Sequence, residues 1–436
     1  MRTLSGELKD KIGETVTTAG WLHKKRLLGG LNFITLRDRS GLTQVLVEEK
    51  AELEKLRGLQ IGTVLSVTGK VVTDDRAPSG VELHDVKIKV DVPVTDEPPI
   101  EIDKPLDHRS ENFDTLFDNR VIGLRNLDEQ AIFKIQAEIM RSIRAYLDKN
   151  DFTEMSTPKL LAEPTEGGAE VFKMDYFGKT ATLAQSAQFY KQIMVGVFER
   201  VYEFSKTYRA EPSATPRHMT EFITIDAEMG FIDFDDLLHF VSGLLNQVID
   251  DVWAKYKPEL RRRNATRPKL PAEIPRLPMS KVHELYTKTT GVKIDDPKDL
   301  TPDEERWVSE YAEKSLASEA VFVTDWPVGS MKFYHRKNSA NPNLTERTDL
   351  IFRGIEIATI TMREHRYDVL VQQLREVIGG DPEDPGFKHY LSAFRYGMPP
   401  HGGFGLGLER LTEKIIGLNN VKEATLFPRD LNRLTP

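Results

Sequence analysis

Arginine, glutamate and glycine residues recur at short spacing in two segments of this chain. The first is YRAE, which begins at Tyr208 and is followed by RHMTEF from Arg217, and the second is GFGLGLER, which begins at Gly403. Guanidinium groups bind phosphate oxygens in pairs, and glycines let a backbone approach a ligand closely. Both segments therefore have residue types suited to a phosphorylated ligand. Alone, each is a weak signal, because an isolated arginine is usually a surface charge and no βαβ unit surrounds the glycines.

The composition excludes several other classes of site. The 436 residues include no cysteine, which rules out disulfides, thiolate zinc sites and a cysteine nucleophile and is typical of the reducing cytoplasm. We expect neither a membrane span nor a signal peptide, because no apolar run is long enough and the first residues are charged. A net charge of −8 argues weakly against a nucleic-acid partner, although the run from His23 to Arg26 is locally basic.

The elements that must position these residues fall into three segments. Residues 1–98 contain five short β-rich runs, which predict a small all-β barrel such as an OB-fold, with another small β-domain as the alternative. Residues 99–125 are rich in proline and aspartate and predict a linker or hinge. Residues 126–436 predict an α+β domain on a mainly antiparallel sheet. Within it we expect a strand through Pro158 and a helix capped by Ser280.

The barrel carries residue types that bind an oligonucleotide. Arg26, Phe33 and Gln44 could hold phosphate, stack on a base and contact a base edge, respectively. The alternative is that Phe33 belongs to the core and that the basic run is a solvated turn.

Three segments together resemble a known family. The helix at 128–149 with the strand through Pro158, the RAE and RHMTEF runs, and GFGLGLER resemble motifs 1, 2 and 3 of class II aminoacyl-tRNA synthetases. With the N-terminal barrel, the chain is similar to the subclass of aspartyl, asparaginyl and lysyl enzymes, above all to short archaeal-type aspartyl enzymes. The resemblance covers nearly the whole chain and implies a catalytic domain over 126–436 and an anticodon-binding OB-fold over 1–98.

The resemblance also implies how ATP is bound. Catalysis would consist mostly of positioning and charge stabilisation, because the amino acid carboxylate attacks the α-phosphate directly. The implied catalytic residues are Arg209 at the α-phosphate, Arg217 near the outer phosphates and Arg410 at the γ-phosphate. The further ATP-binding residues are His218 near the outer phosphates, Phe222 stacked on adenine, Glu221 beside it, and Glu211, Glu356, Gly405 and Gly407. Gly403, Gly405 and Gly407 would let the backbone approach the nucleotide.

Mg²⁺ would accompany ATP as the cofactor. Asp349 and Glu356, seven residues apart, match the family's metal-binding pair and supply the hard oxygen ligands that Mg²⁺ prefers. The alternative is that two acids on a strand simply face solvent.

Two sequence segments predict which amino acid is the substrate. QSAQFYKQ, from Gln185, is similar to the aspartyl Q-S-P-Q-x-Y-K-Q, which implies that Lys191 pairs with the side-chain carboxylate of aspartate and that Gln188 contacts the amino acid. Asparaginyl enzymes generally lack this lysine, because an unpaired buried charge costs several kcal/mol. Arg363 matches the second cation of the clamp, although its run ATITMR departs from the usual S-G-x-Q-R.

A mobile loop would complete the amino acid site. Glu166, which is followed by a pair of glycines, matches the loop glutamate that meets the α-ammonium group of the substrate.

The barrel positions bear on tRNA choice. By resemblance, Arg26, Phe33 and Gln44 read the middle anticodon base, a uridine in both tRNA(Asp) and tRNA(Asn). Strict archaeal-type enzymes carry tryptophan or glutamine where this chain has His23, and lysine where it has Pro78. We therefore expect aspartate transfer to both tRNAs, with a tRNA-dependent amidotransferase as a further partner. The alternative is that neither position affects the third anticodon base.

Three other functions remain open at this point. They are a strict aspartyl enzyme, an asparaginyl enzyme, which Lys191 opposes, and a synthetase-like regulatory protein, which the complete motifs oppose. Motif 1 forms the dimer interface in this class, so the expected assembly is a homodimer in the cytoplasm.

Overall fold

The computed structural model describes residues 1–27, 31–105, 112–163, 170–212 and 215–436. The chain divides into two compact units, Met1–Gln130 and Ala131–Thr435.

The first unit contains a closed five-stranded barrel, as predicted for an OB-fold. Its strands pair in the order β1-β2-β3-β5-β4. Alternate side chains point inward, and the buried ones, such as Leu22, Ile34 and Leu65, form the barrel core. The elements are β1 (Thr15–Leu27), β2 (Asn32–Arg37), β3 (Leu42–Leu46), α1 (Lys50–Leu56), β4 (Val64–Thr73) and β5 (Val81–Val92).

The segment predicted as a linker contains regular structure. Helices α2 (Phe113–Asp118) and α3 (Arg120–Gly123) lie within residues 99–125. Asn112 caps α2 by accepting a hydrogen bond from the backbone N–H of Thr115 at 2.8 Å. These helices are too short to show a clear period in the sequence.

The second unit is built on an eight-stranded sheet in the order β12-β13-β14-β15-β16-β11-β10-β6. The six inner strands pair antiparallel, as predicted, and the pairs β12–β13 and β10–β6 at the two edges are parallel. Its strands are β6 (Thr153–Glu154), β10 (Arg200–Tyr208), β11 (Glu221–Gly230), β12 (Arg276–Pro278), β13 (Ala320–Thr324), β14 (Arg347–Phe352), β15 (Ile355–Arg363) and β16 (His401–Gly407). A separate small sheet contains β7 (Leu160–Leu161), β8 (Lys173–Tyr176) and β9 (Lys179–Leu183).

Helices cover this sheet and close its core. Apolar residues of α4 and α6, such as Ile139 and Leu245, pack with Ile360 and Phe404 of the sheet. The helices are α4 (Leu127–Lys149), α5 (Gln188–Phe198), α6 (Phe234–Arg262), α7 (Met279–Thr290), α8 (Pro302–Leu316), α9 (Tyr367–Ile378), α10 (Pro385–Ala393) and α11 (Leu408–Ile416).

Two local predictions are wrong. Pro158 lies between β6 and β7 rather than within a strand. Helix α7 begins at Met279, so Ser280 is inside its first turn, and Pro278 occupies the N-cap position without a side-chain hydrogen bond. None of the helices in the described part of the chain is long and apolar enough to span a membrane.

Candidate active site

A cavity of about 350 Å³ opens over one face of the large sheet. It brings together most of the candidate residues from motifs 2 and 3 and from the amino acid runs, which are far apart in sequence. Its lining includes Gln188, Lys191, Arg209, Glu211, Arg217, His218, Phe222, Glu356, Arg363, Gly405, Gly407 and Arg410.

Strand register places the floor of this cavity on β16. Asp226 of β11 and Thr359 of β15 both pair with Gly405, and Glu228 and Thr361 both pair with Gly403. Side chains on β11 and β15 therefore flank a central strand that has only hydrogen atoms in these places. The result is a trough between two rows of polar side chains.

Gly403 has a different role from the one expected. A Cβ atom there would lie 2.1 Å from the backbone oxygen of Ala227 and 2.3 Å from Oε2 of Glu228. Gly403 thus makes room for the carboxylate of Glu228, not for a nucleotide. At Gly405 the nearest atom, Oδ1 of Asp226, would be 3.6 Å away, an ordinary contact.

Lys191 is buried at one side of the trough, with 1% of its side chain exposed. Its Nζ donates hydrogen bonds to Oδ1 of Asp226 at 2.9 Å and to the backbone oxygen of Phe404 at 3.0 Å, and it lies 3.6 Å from Oε2 of Glu228. These two hydrogen bonds use two of the three N–H donors of an ammonium group. One donor stays available for a ligand.

Arg363 approaches the same carboxylate from the other side. Its Nε donates to Oε1 of Glu228 at 2.8 Å and its Nη2 to Oε2 at 3.2 Å. Glu228 is fully buried, and the side chain of Arg363 is 4% exposed. A guanidinium has five N–H donors, so this pair leaves others for an incoming anion. Lys191, Asp226, Glu228 and Arg363 form what we call the charge cluster.

Several buried polar atoms in the cavity lack a hydrogen-bond partner among the described residues. They are Oε1 of Gln185, Nε2 of Gln188, Nε of Arg209 and Oγ1 of Thr361. Buried polar groups are nearly always paired, so such a concentration in one cavity indicates ligand contacts.

The motif 2 residues form another part of the cavity lining. The Arg209 guanidinium is 5.5 Å from the ring centre of Phe222. Nδ1 of His218 shares a hydrogen bond with Oγ1 of Thr215 at 2.6 Å. Arg217 donates from Nη2 to Oε2 of Glu305 at 2.9 Å and to the backbone oxygen of Gly354 at 2.8 Å. Glu305, on α8, was not predicted, since its helix has no motif.

The two predicted metal ligands, Asp349 and Glu356, interact electrostatically. Although burial opposes its charge, Arg410 and a hydrogen bond from Thr359 lower the pKa of Glu356. Burial, and then the charge of Glu356, raises the pKa of Asp349, against the opposing charge of Arg347. Arg410 also donates from Nη1 to Oε2 of Glu356 at 3.2 Å. Carboxylate oxygens suit a divalent cation, and Glu356 presents its own in the cavity.

Not every candidate reaches the cavity. Strand alternation on β11 points Phe222, Thr224 and Asp226 inward, so Glu221 points away and pairs with Lys206 at 2.9 Å. Asp349 is buried behind the lining and forms an ion pair with Arg347. Glu166 lies outside the described residues.

Glu409 of motif 3 has a structural role that was not predicted. Both of its carboxylate oxygens accept from the backbone N–H of Ile223 at 3.1 Å, which holds β11 directly beside Phe222. Burial raises the pKa of Glu409 to about 7.

The barrel has a second group of candidates. Arg26 pairs with Phe33 across β1 and β2, and Phe33 is half-buried, so part of this residue is accessible. Gln44 donates from Nε2 to Oε2 of the buried Glu82 at 2.7 Å, which leaves its amide oxygen as an acceptor. Glu82 was missed, because one acid on a strand carries no pattern.

His23 and Pro78 also lie on the barrel. Burial, followed by the charge of Arg37, lowers the pKa of His23, which lies at the β-bulge between Leu22 and Lys24. Pro78 is exposed in the turn between β4 and β5.

We expect Gly403→Ala to lower the free energy of unfolding by about 1–3 kcal/mol, because its methyl group overlaps a backbone oxygen and the carboxylate of Glu228. Gly405→Ala is the matched control, since its methyl group meets only an ordinary contact. Urea unfolding of both variants measures the difference. Equal stability of the two variants would contradict the packing argument.

We expect Glu409→Gln to change how stability depends on pH. The ordinary pKa of 4.5 describes the unfolded chain, and the folded pKa is about 7, so the folded protein holds the proton more tightly. The stabilising effect of protonated Glu409 is therefore complete below pH 4.5 and is lost as the pH rises through 7. Between pH 4.5 and 8, the free energy of unfolding should fall by about 3 kcal/mol more in the wild type than in the variant. Parallel profiles in urea unfolding would show that Glu409 does not titrate in this range.

Comparison with known proteins places these sites in a family. The model for tRNA synthetases class II (D, K and N) matches residues 112–431, and the OB-fold nucleic acid binding domain matches residues 16–91. The Aspartate--tRNA(Asp/Asn) ligase of Thermus thermophilus is 41% identical over 440 residues, covering 100% of both chains. The Aspartate--tRNA(Asp) ligase of Thermococcus kodakarensis is 39% identical, covering 99% of both.

Among solved structures, the asparaginyl-tRNA synthetase of Pyrococcus horikoshii, complexed with asparaginyl-adenylate, superposes with a TM-score of 0.89. It is 30% identical, and 100% of each chain is covered. The barrel, the antiparallel sheet with its motif 2 and motif 3 cavity, and these full-length matches agree. The chain therefore belongs to the class II aminoacyl-tRNA synthetases, in the group that comprises the aspartyl, lysyl and asparaginyl enzymes.

Proposed function

We propose that this enzyme attaches L-aspartate to tRNA through an aspartyl-adenylate. The observation that carries the proposal is the charge cluster, in which Lys191 and Arg363 are buried on either side of Glu228. The substrate's side-chain carboxylate would bind between the two cations, and Gln188 would contact the amino acid. Glu166 would meet its ammonium group.

The hydrogen-bonding capacity of the cluster favours aspartate over asparagine. Lys191 and Arg363 offer spare donors, whereas Asp226 and Glu228 already accept hydrogen bonds from the cluster cations. A carboxylate is an acceptor on both oxygens, but an amide presents two N–H donors that would face these cations. Spare donors of Lys191 and Arg363 that face an amide N–H group would stay without an acceptor in a buried site, which costs about 1–3 kcal/mol for each group. The relatives named for aspartate support the same choice.

ATP would occupy the other end of the trough. Phe222 would stack on adenine, Arg209 would bind the α-phosphate, and Arg217, His218 and Arg410 would bind the outer phosphates. The backbone at Gly405 and Gly407 would lie against the nucleotide, with Glu211 beside it. In this arrangement Arg217 would donate to a phosphate oxygen in place of the Glu305 carboxylate, because each of these groups is an anion that a guanidinium can bind.

Mg²⁺ would be held by Glu356 with Asp349, and it would supply neutralising charge for the phosphates. The side chains of the cavity would position the two substrates. They would align the α-carboxylate of aspartate with the α-phosphorus of ATP, so that a C–O–P bond forms as pyrophosphate leaves. The terminal ribose hydroxyl of tRNA then attacks the aspartyl carbonyl, and AMP leaves. No covalent enzyme intermediate is needed, so positioning and charge stabilisation account for catalysis.

On the tRNA side, we propose that the enzyme aspartylates both tRNA(Asp) and tRNA(Asn). Arg26, Phe33 and Gln44 would read the uridine that both anticodons share, and His23 and Pro78 would leave the third base unread. The Thermus thermophilus relative is named for both tRNAs. The main alternative is a strict enzyme, because the 39% identical Thermococcus kodakarensis relative is named for tRNA(Asp) alone.

Three further proposals concern the surroundings of the enzyme. Exposed apolar side chains at Val197, Phe198 and Phe231 are 61%, 49% and 72% accessible, and a homodimer interface would cover them. Aspartyl-tRNA(Asn) would require a tRNA-dependent amidotransferase to become asparaginyl-tRNA. These tRNA substrates would place the enzyme in the cytoplasm.

The amino acid is tested by ATP–pyrophosphate exchange. We expect exchange with aspartate, and exchange with asparagine that is weaker by about 100-fold or more. The reason is that Lys191 and Arg363 offer donors that suit a carboxylate and not an amide N–H group. Lys191→Met should reduce aspartate exchange about 100-fold or more, since it removes one cation of the pair. Lys159→Met is a matched control, because it breaks a 2.7 Å ion pair with Glu203 outside the cavity. Exchange with asparagine that equals exchange with aspartate would overturn the assignment.

The tRNA choice is tested by aspartylation of tRNA(Asp) and tRNA(Asn) transcripts side by side. We expect the wild type to charge both tRNAs, with kcat/KM values that differ by less than about tenfold. A larger ratio would be typical of an enzyme that reads one further base. The double variant His23→Gln, Pro78→Lys should lose tRNA(Asn) charging selectively. Arg26→Ala is the control and should weaken both tRNAs equally, since it would contact a shared feature. If the wild type does not aspartylate tRNA(Asn), the enzyme is a strict one that acts on tRNA(Asp) alone.

A further inference from the structure

Thr361 carries a buried hydroxyl that nothing described so far uses. The residue is 0% exposed and lines the cavity, but its Oγ1 has no hydrogen-bond partner among the described residues. A buried hydroxyl without a partner is costly. The hydroxyls of Thr18 and Ser205 also lack a partner among the described residues, but Thr361 differs from both because it lines the cavity.

The neighbours of Thr361 along β15 are already engaged. Thr359 donates from Oγ1 to Oε1 of Glu356 at 2.9 Å, and Arg363 donates to Glu228. Both lie two residues from Thr361, on the same face of the strand. Thr361 is therefore about 7 Å along the strand from the metal-binding end and from the second cation.

Register identifies what the hydroxyl faces. Thr361 and Glu228 both pair with Gly403, so they stand in one row across the glycine floor. Glu228 is also where the two cations converge, with Lys191 Nζ at 3.6 Å and Arg363 Nε at 2.8 Å. The hydroxyl of Thr361 thus lies across the glycine floor from the place where Lys191 and Arg363 would both meet a substrate carboxylate.

We propose that Thr361 donates its hydroxyl hydrogen to the side-chain carboxylate of the bound aspartate, as a third donor beside Lys191 and Arg363. This inference rests on the proposed function. A carboxylate has about four acceptor positions, so it has room for a third donor. The ammonium group of the substrate offers only donors and would lie beside Glu166 in the proposed function, which leaves the carboxylate as the partner for a hydroxyl donor.

Thr361→Val tests the inference, because it removes the hydroxyl and keeps the branched shape. We expect the KM for aspartate in ATP–pyrophosphate exchange to rise about tenfold or more, the usual effect of losing a hydrogen bond to a charged group. The KM for ATP should stay unchanged. Thr361→Ser keeps the hydroxyl and should stay within about threefold of the wild type.

Two non-hydrolysable adenylate analogues locate the contact. Inhibition by aspartyl-sulfamoyl adenosine should weaken about tenfold in Thr361→Val, whereas inhibition by alanyl-sulfamoyl adenosine, which lacks the side-chain carboxylate, should not change. Equal weakening of both analogues, or of neither, would overturn the inference. A wild type without aspartate-dependent exchange would instead refute the proposed function. Reduced binding of both analogues with a lowered Tm would identify a purely structural role, and would also count against the inference.

Discussion

The charge cluster constrains the rest of the catalytic unit. Moving an ion into a protein interior costs several kcal/mol, and four such groups are tolerated only because each is paired within hydrogen-bonding distance. That pairing requires α5 to bring Lys191 onto the sheet and β15 to bring Arg363 from the other side. It also requires a central strand without side chains, so that Glu228 can lie over Gly403. Gly403 of motif 3 thus serves the charge cluster.

Strand alternation explains which features were predictable from the sequence. The barrel strands alternate apolar and polar residues around one core, so both their number and approximate positions were predicted correctly. The helix at 127–149 has regular apolar spacing and was also found. Residues such as Lys191 and Arg209 were identified because a motif resemblance marked them, and the cavity brings them together.

Long-range pairing explains what the sequence could not predict. The direction of Glu221 depends on the register between β10 and β11, and the role of Glu305 depends on a helix that meets Arg217 from 88 positions away. Asp226 and Glu228 alternate on β11, but the cations that pair with them come from α5 and β15, which no local pattern indicates. Ser280 was misassigned because Pro278, which directly precedes α7, takes the cap position.

The same alternation resolves the departure of ATITMR from the usual motif. Ile360 and Met362 are fully buried in the core, whereas Thr359, Thr361 and Arg363 line the cavity. A Cβ on Gly402 would lie 2.5 Å from the sulfur of Met362, so the methionine occupies space that this glycine leaves open. Ile360 and Met362 therefore depart from the usual run at the back of the strand, whereas Arg363 is kept on the cavity face and Thr359 replaces the usual serine there.

The bare floor of the trough has an evolutionary consequence. Because β16 contributes only backbone and hydrogen atoms there, the side chains beside this floor come from α5, β11 and β15, which can be exchanged one at a time. A lineage could change the amino acid that it activates without rebuilding the floor or the nucleotide end. A change of this kind is consistent with the shared architecture of this chain and a relative named for asparagine, which superpose with a TM-score of 0.89.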